Sequence, residues 1–181
     1  MTDAAGTVPR EETLWVDAAN RGDRRAFERL YERYSGLVHG ILLARVPQMD
    51  VEDLLQDVFL TVYRRLRTLR EPAAFAGWLA MIARNRATDH LRRVPKTEEL
   101  PDDLAADNPS GLEAAEGNAI LGIIRSLPEA YRETLVLRLV EGMTGPEIAA
   151  RTGLTQGSVR VNLHRGMTQL KEKLHRRETH G

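Results

Sequence analysis

The chain has 181 residues, with 26 Lys/Arg against 26 Asp/Glu and no cysteine. This length suits one large domain or two small ones. The missing cysteines exclude disulfides, thiolate zinc sites and thiol redox chemistry, as expected for a protein of a reducing cytoplasm. Neutrality by itself argues against a nucleic-acid binder, but the charge is unevenly distributed. Residues 1–95 carry 15 Lys/Arg against 13 Asp/Glu, residues 96–117 carry 1 against 7, and residues 118–181 carry 10 against 6. Two basic bodies are thus joined by an acidic strap.

Met1–Arg10 is small and polar, with no apolar core for a signal peptide. No stretch has the length needed to span a bilayer, so a cytoplasmic protein with no direct membrane insertion is expected. Apolar residues recur at helical rather than strand spacing throughout. The spacing predicts helices over roughly 11–20, 23–46, 50–68 and 73–93, and again over roughly 113–126, 128–141, 144–152 and 155–176. Between them, Lys96 to Gly117 holds Pro101, Pro109, Gly111 and the acids without apolar periodicity, and reads as a flexible or extended linker.

In the helix over 50–68, Val51, Leu54, Leu55, Val58, Phe59, Val62 and Leu66 share one face, while Asp53, Gln56, Asp57, Leu60 and Arg64 share the opposite one. A solvated polar face is the ordinary explanation, but an apolar Leu60 rimmed by polar residues points to a protein contact surface. The helix over 73–93 begins with Phe75, Trp78, Leu79, Ile82 and Ala83 and then turns basic. Arg84, Asn85, Thr88 and Arg92 project away from its apolar stripe, where they can face a phosphate backbone or simply complement the helix dipole. Arg86 and Asp89 lie nearer the stripe and are expected to pair at i,i+3. The aromatics Trp15, Phe27, Phe75 and Trp78 are expected in the core rather than as a base-stacking platform.

The last third reads as a helix-turn-helix. Thr144 and Glu147 form a capping box with Pro146 in the first turn, Gly153 ends that helix, and Thr155 caps the next. A short Gly-containing turn between two helices is the arrangement that sets a second helix in the major groove. On that helix Val159, Leu163, Met167, Leu170 and Leu174 form the apolar stripe. Gly157, Ser158, Val161, Arg165 and Thr168 lie opposite, with Arg160 and Asn162 at the edges, and Val161 is placed to meet a thymine methyl.

Catalytic and metal chemistry find little support. None of His39, His90, His164, His175 and His180 sits at i,i+4 from another, so no metal ligand set and no cofactor is expected. Asp53 and Asp57 are stacked carboxylates on one helix with no partner carboxylate helix, a weak basis for an enzyme. An operator-binding homodimer needs a dimerisation surface, and the sequence contains no heptad seam to supply one.

Four stretches, in order, make the chain resemble a bacterial alternative sigma factor of the extracytoplasmic-function (ECF) type, in the sigma-70 superfamily. Asp53-Leu-Leu-Gln56-Asp57-Val-Phe59 resembles the family's motif for gripping the clamp helices of RNA polymerase's largest subunit. The run from Phe75 through Trp78, Leu79, Ile82, Ala83, Asn85 and Asp89 to Arg92-Arg93 is similar to its helix for the minus-10 promoter element. Leu127-Pro128, Arg132 and Leu137-Arg138 resemble the start of its fourth region, and Gly157-Ser-Val-Arg160 with Leu163-His164-Arg165 its minus-35 recognition helix. Val161-Asn162 stands where many members carry Ser-Arg, and Gly166-Met167 where an Ala-Arg pair is common.

The resemblance implies an all-α protein that is not an enzyme. It has a sigma-2-like domain over 11–95, an acidic linker over 96–117 and a sigma-4-like helix-turn-helix domain over 118–178. It further implies that Asp53, Gln56, Asp57 and Leu60 hold the polymerase core, with the flap meeting the C-terminal domain. Arg84, Asn85, Thr88, Arg92 and Arg93 would engage the minus-10 element, and Ser158, Arg160, Val161, Asn162 and Arg165 the minus-35 duplex. An anti-sigma factor is an expected partner besides core and promoter DNA. The linker is either a spacer or a strap lying in a basic polymerase channel. No sensory domain is expected after the last helix.

Overall fold

The computed structural model describes residues 10–93 and 111–179. The first body holds α1 (Arg10–Asn20), α2 (Arg24–Leu43), α3 (Gln48–Arg65) and α4 (Phe75–Arg93), with short 3-10 turns at Leu66–Thr68 and Pro72–Ala74. The second holds α5 (Gly111–Arg125), α6 (Glu129–Leu139), α7 (Gly145–Thr152) and α8 (Gln156–Glu178). No strand occurs among the described residues.

Local chemistry sets the helix limits. Asp23 accepts from the backbone N–H groups of Arg25 and Ala26, so α2 begins after it rather than at it. The capping box at Thr144 forms as expected, with Thr144 N–H donating to Glu147 at 2.8 Å and Glu147 N–H returning to the Thr144 hydroxyl. Those hydrogen bonds from Thr144, backbone first, hold the Glu147 carboxyl below its ordinary pKa. Gly153 closes α7 in the left-handed region at φ +79°, where a side chain would be strained. Thr155 caps α8 through the Ser158 N–H at 3.1 Å.

One expectation is met with a small shift and one is corrected. The helix expected from about residue 113 opens at Gly111, and so overlaps the end of the segment assigned to the linker. Glu113-Ala-Ala-Glu116 are helix formers with no breaker among them, and local propensity outweighs the acidity of the segment. The rest of the linker, through residue 110, lies outside the described residues. Arg86 pairs with Asp57 of α3 rather than with Asp89 of its own helix. The α3–α4 packing brings a carboxylate from another element to Arg86, a juxtaposition that intrahelical spacing does not reveal.

α2 is the centre of the first body, with Leu30, Tyr34, Leu37, Val38, Ile41 and Leu42 all buried. The predicted apolar face of α3 is buried as well, from Val51 through Val62. Phe75 is fully buried, whereas Trp15, Phe27 and Trp78 are partly buried against the core. Tyr34 stacks edge-on with Phe75 and donates to Glu12 of α1. Burial, and then that hydrogen bond, push the Tyr34 hydroxyl far above its ordinary pKa. Glu12 also receives Arg33 Nε at 2.7 Å. Its buried carboxylate is therefore satisfied twice, which fastens α1 to α2.

In the second body, α6 packs against α5, α7 and α8, and α5 also meets α8. Leu135, Val136 and Leu137 are fully buried there, with Ile148 of α7 and Val159 and Leu170 of α8. Leu163, Met167 and Leu174 complete the predicted stripe in partly buried positions. Gly166 is required by this packing. A Cβ there would lie 2.9 Å from Leu135 Cδ1 and 3.1 Å from Tyr131 Cβ. This gives a physical reason for glycine at one of the positions that depart from the family pattern.

Candidate nucleic-acid and polymerase interfaces

Three surfaces emerge from this framework. On α3, Asp53, Gln56 and Leu60 are exposed on one side, and Leu60 is 52% exposed. Asp57 is half-buried because of its pair with Arg86. The structure thus gathers three of the four α3 residues on open surface and uses the fourth partly to brace α4. Beside Gln56 and Leu60 runs an apolar groove of about 600 Å³, lined also by Phe27 and Tyr31 of α2 and by Phe59 and Tyr63 of α3. Phe27 and Tyr63 meet edge-on at 5.2 Å between ring centres. The sequence reading missed this aromatic wall. Its signal was present in Phe27 and Tyr31, one helical turn apart on α2.

The second surface is the basic half of α4. Asn85, Thr88, Arg92 and Arg93 are exposed. Arg84 is not free. Its Nε donates to Glu133 at 3.1 Å and its Nη2 at 2.6 Å, and Nη2 also reaches the Thr152 carbonyl at 3.1 Å. Both acceptor residues belong to the second body. The remaining polar residues of α4 divide similarly, since His90 Nε2 lies 2.9 Å from Asp50 on α3 and so serves packing.

The third surface is the outer side of α8, where Ser158, Arg160, Val161 and Arg165 are exposed and Asn162 is half-buried. Val161 remains 45% exposed although it is apolar and β-branched. The apolar stripe holds α8 to α6 from the opposite side, so these five residues stand on a rigid helix.

The two bodies pack on each other through contacts that the sequence reading did not foresee. Gly36 and Gly40 on α2 form a notch for α6. A Cβ at Gly40 would lie 2.6 Å from Leu137 Cδ2, and one at Gly36 would lie 2.9 Å from Glu141 Oε2. His39 Nδ1 lies 2.6 Å from Glu141 Oε1, and this hydrogen bond raises the imidazole pKa above its ordinary value. Arg45 Nη1 reaches Glu133 at 2.6 Å. Burial pushes the Glu133 carboxyl up, but the Arg84 hydrogen bond and the Arg45 charge outweigh it, and the pKa lies below normal. Arg125 of α5 donates to the carbonyls of Leu43 and Val46 at 3.0 and 2.8 Å.

A capped helix-turn-helix with an exposed basic helix, attached to a second helical body with its own basic helix, defines a two-part DNA-binding protein. Sequence-family profiles agree. The Sigma-70 region 2 profile matches residues 30–96, and the Sigma-70, region 4 profile matches residues 117–170. The chain is 32% identical to the ECF RNA polymerase sigma-E factor of Escherichia coli (strain K12), covering 90% of this chain and 94% of that protein. Identity to the Haemophilus influenzae sigma-E factor is 29%, over 88% and 93%. Among solved structures, CnrH in complex with the cytosolic domain of CnrY is similar at a TM-score of 0.65 and 27% identity, covering 91% of this chain and 97% of that one. The sigma factor RpoE of Bartonella quintana, solved with the anti-sigma factor NepR, shares the fold at a TM-score of 0.60 and 17% identity, covering 82% and 96%. The chain belongs to the ECF sigma factors of the sigma-70 family, transcription factors that direct RNA polymerase to specific promoters and support initiation. No helix among the described residues is long and apolar enough to cross a membrane.

Proposed function

We propose that the first body, residues 11–95, holds the polymerase core and the minus-10 element, and that the second, residues 118–178, reads the minus-35 element. The acidic strap over residues 96–117 joins them, with its last seven residues in α5. Asp53, Gln56 and Leu60 make the core contact, and Asp57 serves both that contact and Arg86. Arg84, Asn85, Thr88, Arg92 and Arg93 engage the minus-10 region. Ser158, Arg160, Val161, Asn162 and Arg165 enter the minus-35 major groove. The observation that carries this reading is the joint exposure of Asp53, Gln56 and Leu60 on α3 and of Arg160, Val161 and Arg165 on α8. Residues with no role in the core are thus displayed on the two helices whose sequences resemble the family's core-binding and minus-35 motifs.

The protein acts without catalysis of its own, in the cytoplasm. A protein regulator of the anti-sigma kind is part of the same reading, supported by CnrH, a 27% identical protein solved with the cytosolic domain of a second protein.

The test is a pull-down with RNA polymerase core. Asp53→Arg puts repulsion where attraction is proposed, and such a reversal at an interface costs several kcal/mol. Asp53 is the better target, because reversing Asp57 also breaks the brace to Arg86. Binding should be lost while the far-ultraviolet circular dichroism is unchanged. Undiminished core binding by Asp53→Arg overturns the α3 assignment.

A further inference from the structure

We propose that a cleft at the seam between the two bodies binds a small polyphosphate anion, free or carried on a nucleoside, through Arg45, Arg92 and Arg132. The first body supplies Arg45 and Arg92, the second supplies Arg132, and Thr88, Leu91 and Glu129 complete a space of about 260 Å³. Thr88, Leu91 and Arg92 share one side of α4 at i, i+3 and i+4, and Glu129 and Arg132 lie one turn apart at the start of α6. Three guanidinium groups thus meet a single carboxylate around the cleft.

Partners elsewhere do not offset this charge. Arg92 and Arg132 make no ion pair among the described residues. Arg132 is half-buried, and its Nε is shielded from solvent with no hydrogen-bond partner. A guanidinium stays charged, and a buried N–H without an acceptor is costly. Arg45, its side chain only 12% exposed, holds Glu129 at 3.0 Å and Glu133 at 2.6 Å. Glu133 is shared with Arg84, also at 2.6 Å. The Glu129 side chain is 67% exposed, so its tie to Arg45 is weak and easily displaced. The helix adds to the same field: Glu129 is the first residue of α6, and no side chain caps that end. The positive end of the helix dipole therefore lies at the cleft.

The donors select the class of anion. Guanidinium groups take phosphate two oxygens at a time, and three of them from three separate segments call for several phosphate oxygens rather than one carboxylate. The Thr88 hydroxyl is committed to the Arg84 carbonyl at 3.0 Å, so recognition falls to the arginines. Leu91, 49% exposed, offers an apolar surface for a base. The volume lies below the roughly 300 Å³ at which pockets for drug-sized ligands begin, which suits a short phosphate chain rather than a nucleic-acid strand.

The probe is sodium tripolyphosphate, titrated into the full chain by isothermal calorimetry at neutral pH and about 100 mM salt, where diffuse surface charge is largely screened. Saturable binding of one anion per chain is expected. Arg132→Gln should weaken it about tenfold, as loss of one charge-assisted contact does, and Arg92→Gln severalfold. Arg92 is exposed, so its variant keeps the fold and the test stands even where Arg132→Gln disturbs α6. Arg67→Gln, which removes an exposed arginine outside the cleft, should leave the affinity unchanged. ATP without magnesium is the second probe. Tighter binding than tripolyphosphate supports a nucleoside-carried ligand, and equal or weaker binding supports the phosphate chain alone. No saturable binding of tripolyphosphate up to about 5 mM overturns the site. An equal loss in Arg67→Gln and Arg132→Gln also overturns it, since the anion would then be drawn to basic surface in general. The titration contains no DNA and no polymerase, so its failure leaves the promoter assignments to their own tests.

Discussion

Gly166→Ala is a sharp test of the second body, because two opposing effects can be weighed from the structure. In an exposed helix interior, alanine is favoured over glycine by about 1 kcal/mol. At position 166 the new methyl would sit 2.9 Å from Leu135 Cδ1, 3.1 Å from Leu135 Cγ and 3.1 Å from Tyr131 Cβ. Leu135 is fully buried, so its rotation displaces other core atoms, and Tyr131 Cβ moves only with the α6 backbone. The two helices must part by a few tenths of an ångström, and overpacking of this kind costs about 1–3 kcal/mol. A net loss of about 1 kcal/mol is expected, which lowers the melting temperature by roughly 2–4 °C if the chain unfolds as one unit and by roughly 4–8 °C if this body unfolds separately. Gly122→Ala in α5 is the control, since its Cβ would meet nothing within 4 Å. It should gain about 0.5–1 kcal/mol. Urea titration followed by circular dichroism at 222 nm measures both variants. If Gly166→Ala is as stable as Gly122→Ala, the close approach of α6 and α8 does not require glycine and the reasoning is wrong.

Other consequences concern the caps and the seam. Thr144→Ala removes the hydroxyl that receives the Glu147 N–H and should cost about 1 kcal/mol, measured by the same titration. The raised pKa of His39 means that its pair with Glu141 contributes fully below the unfolded value of 6.5 and is lost as pH rises through the folded value. Stability should therefore decline above pH 6.5 in a component that His39→Gln removes, and identical pH profiles for the two proteins would refute it. Glu133 behaves oppositely, because its lowered pKa gives a contribution present above 4.5 and lost as pH falls through the folded value. Glu133→Gln should accordingly flatten the acid limb of the stability profile between pH 5 and pH 3, as read by thermal melts.

Much of the protein is written in local sequence, and the reason is that caps, turns and helical periodicity act over three or four residues. Thr144 with Glu147, Gly153 and Thr155 fall where they were expected because a cap hydrogen-bonds only its own first turn. The division of α3 into a buried apolar face and an exposed side with Asp53, Gln56 and Leu60 follows from its 3.6-residue period. The order of four motifs, each local, was enough to identify the family.

Tertiary structure alone decided the partners of charged and small residues. Asp57, Asp89 and Glu133 are equivalent to Arg84 and Arg86 as sequence, since any carboxylate satisfies a guanidinium. Packing of α3 on α4 gave Asp57 to Arg86, and packing of the second body gave Glu133 to Arg84. Gly36 and Gly40 read as two weak points in a helix until Leu137 and Glu141 are seen to occupy the space they leave. Contacts between residues 29 to 102 positions apart depend on how whole helices meet. That choice is made by the summed burial of many side chains, which no single local pattern in the chain encodes.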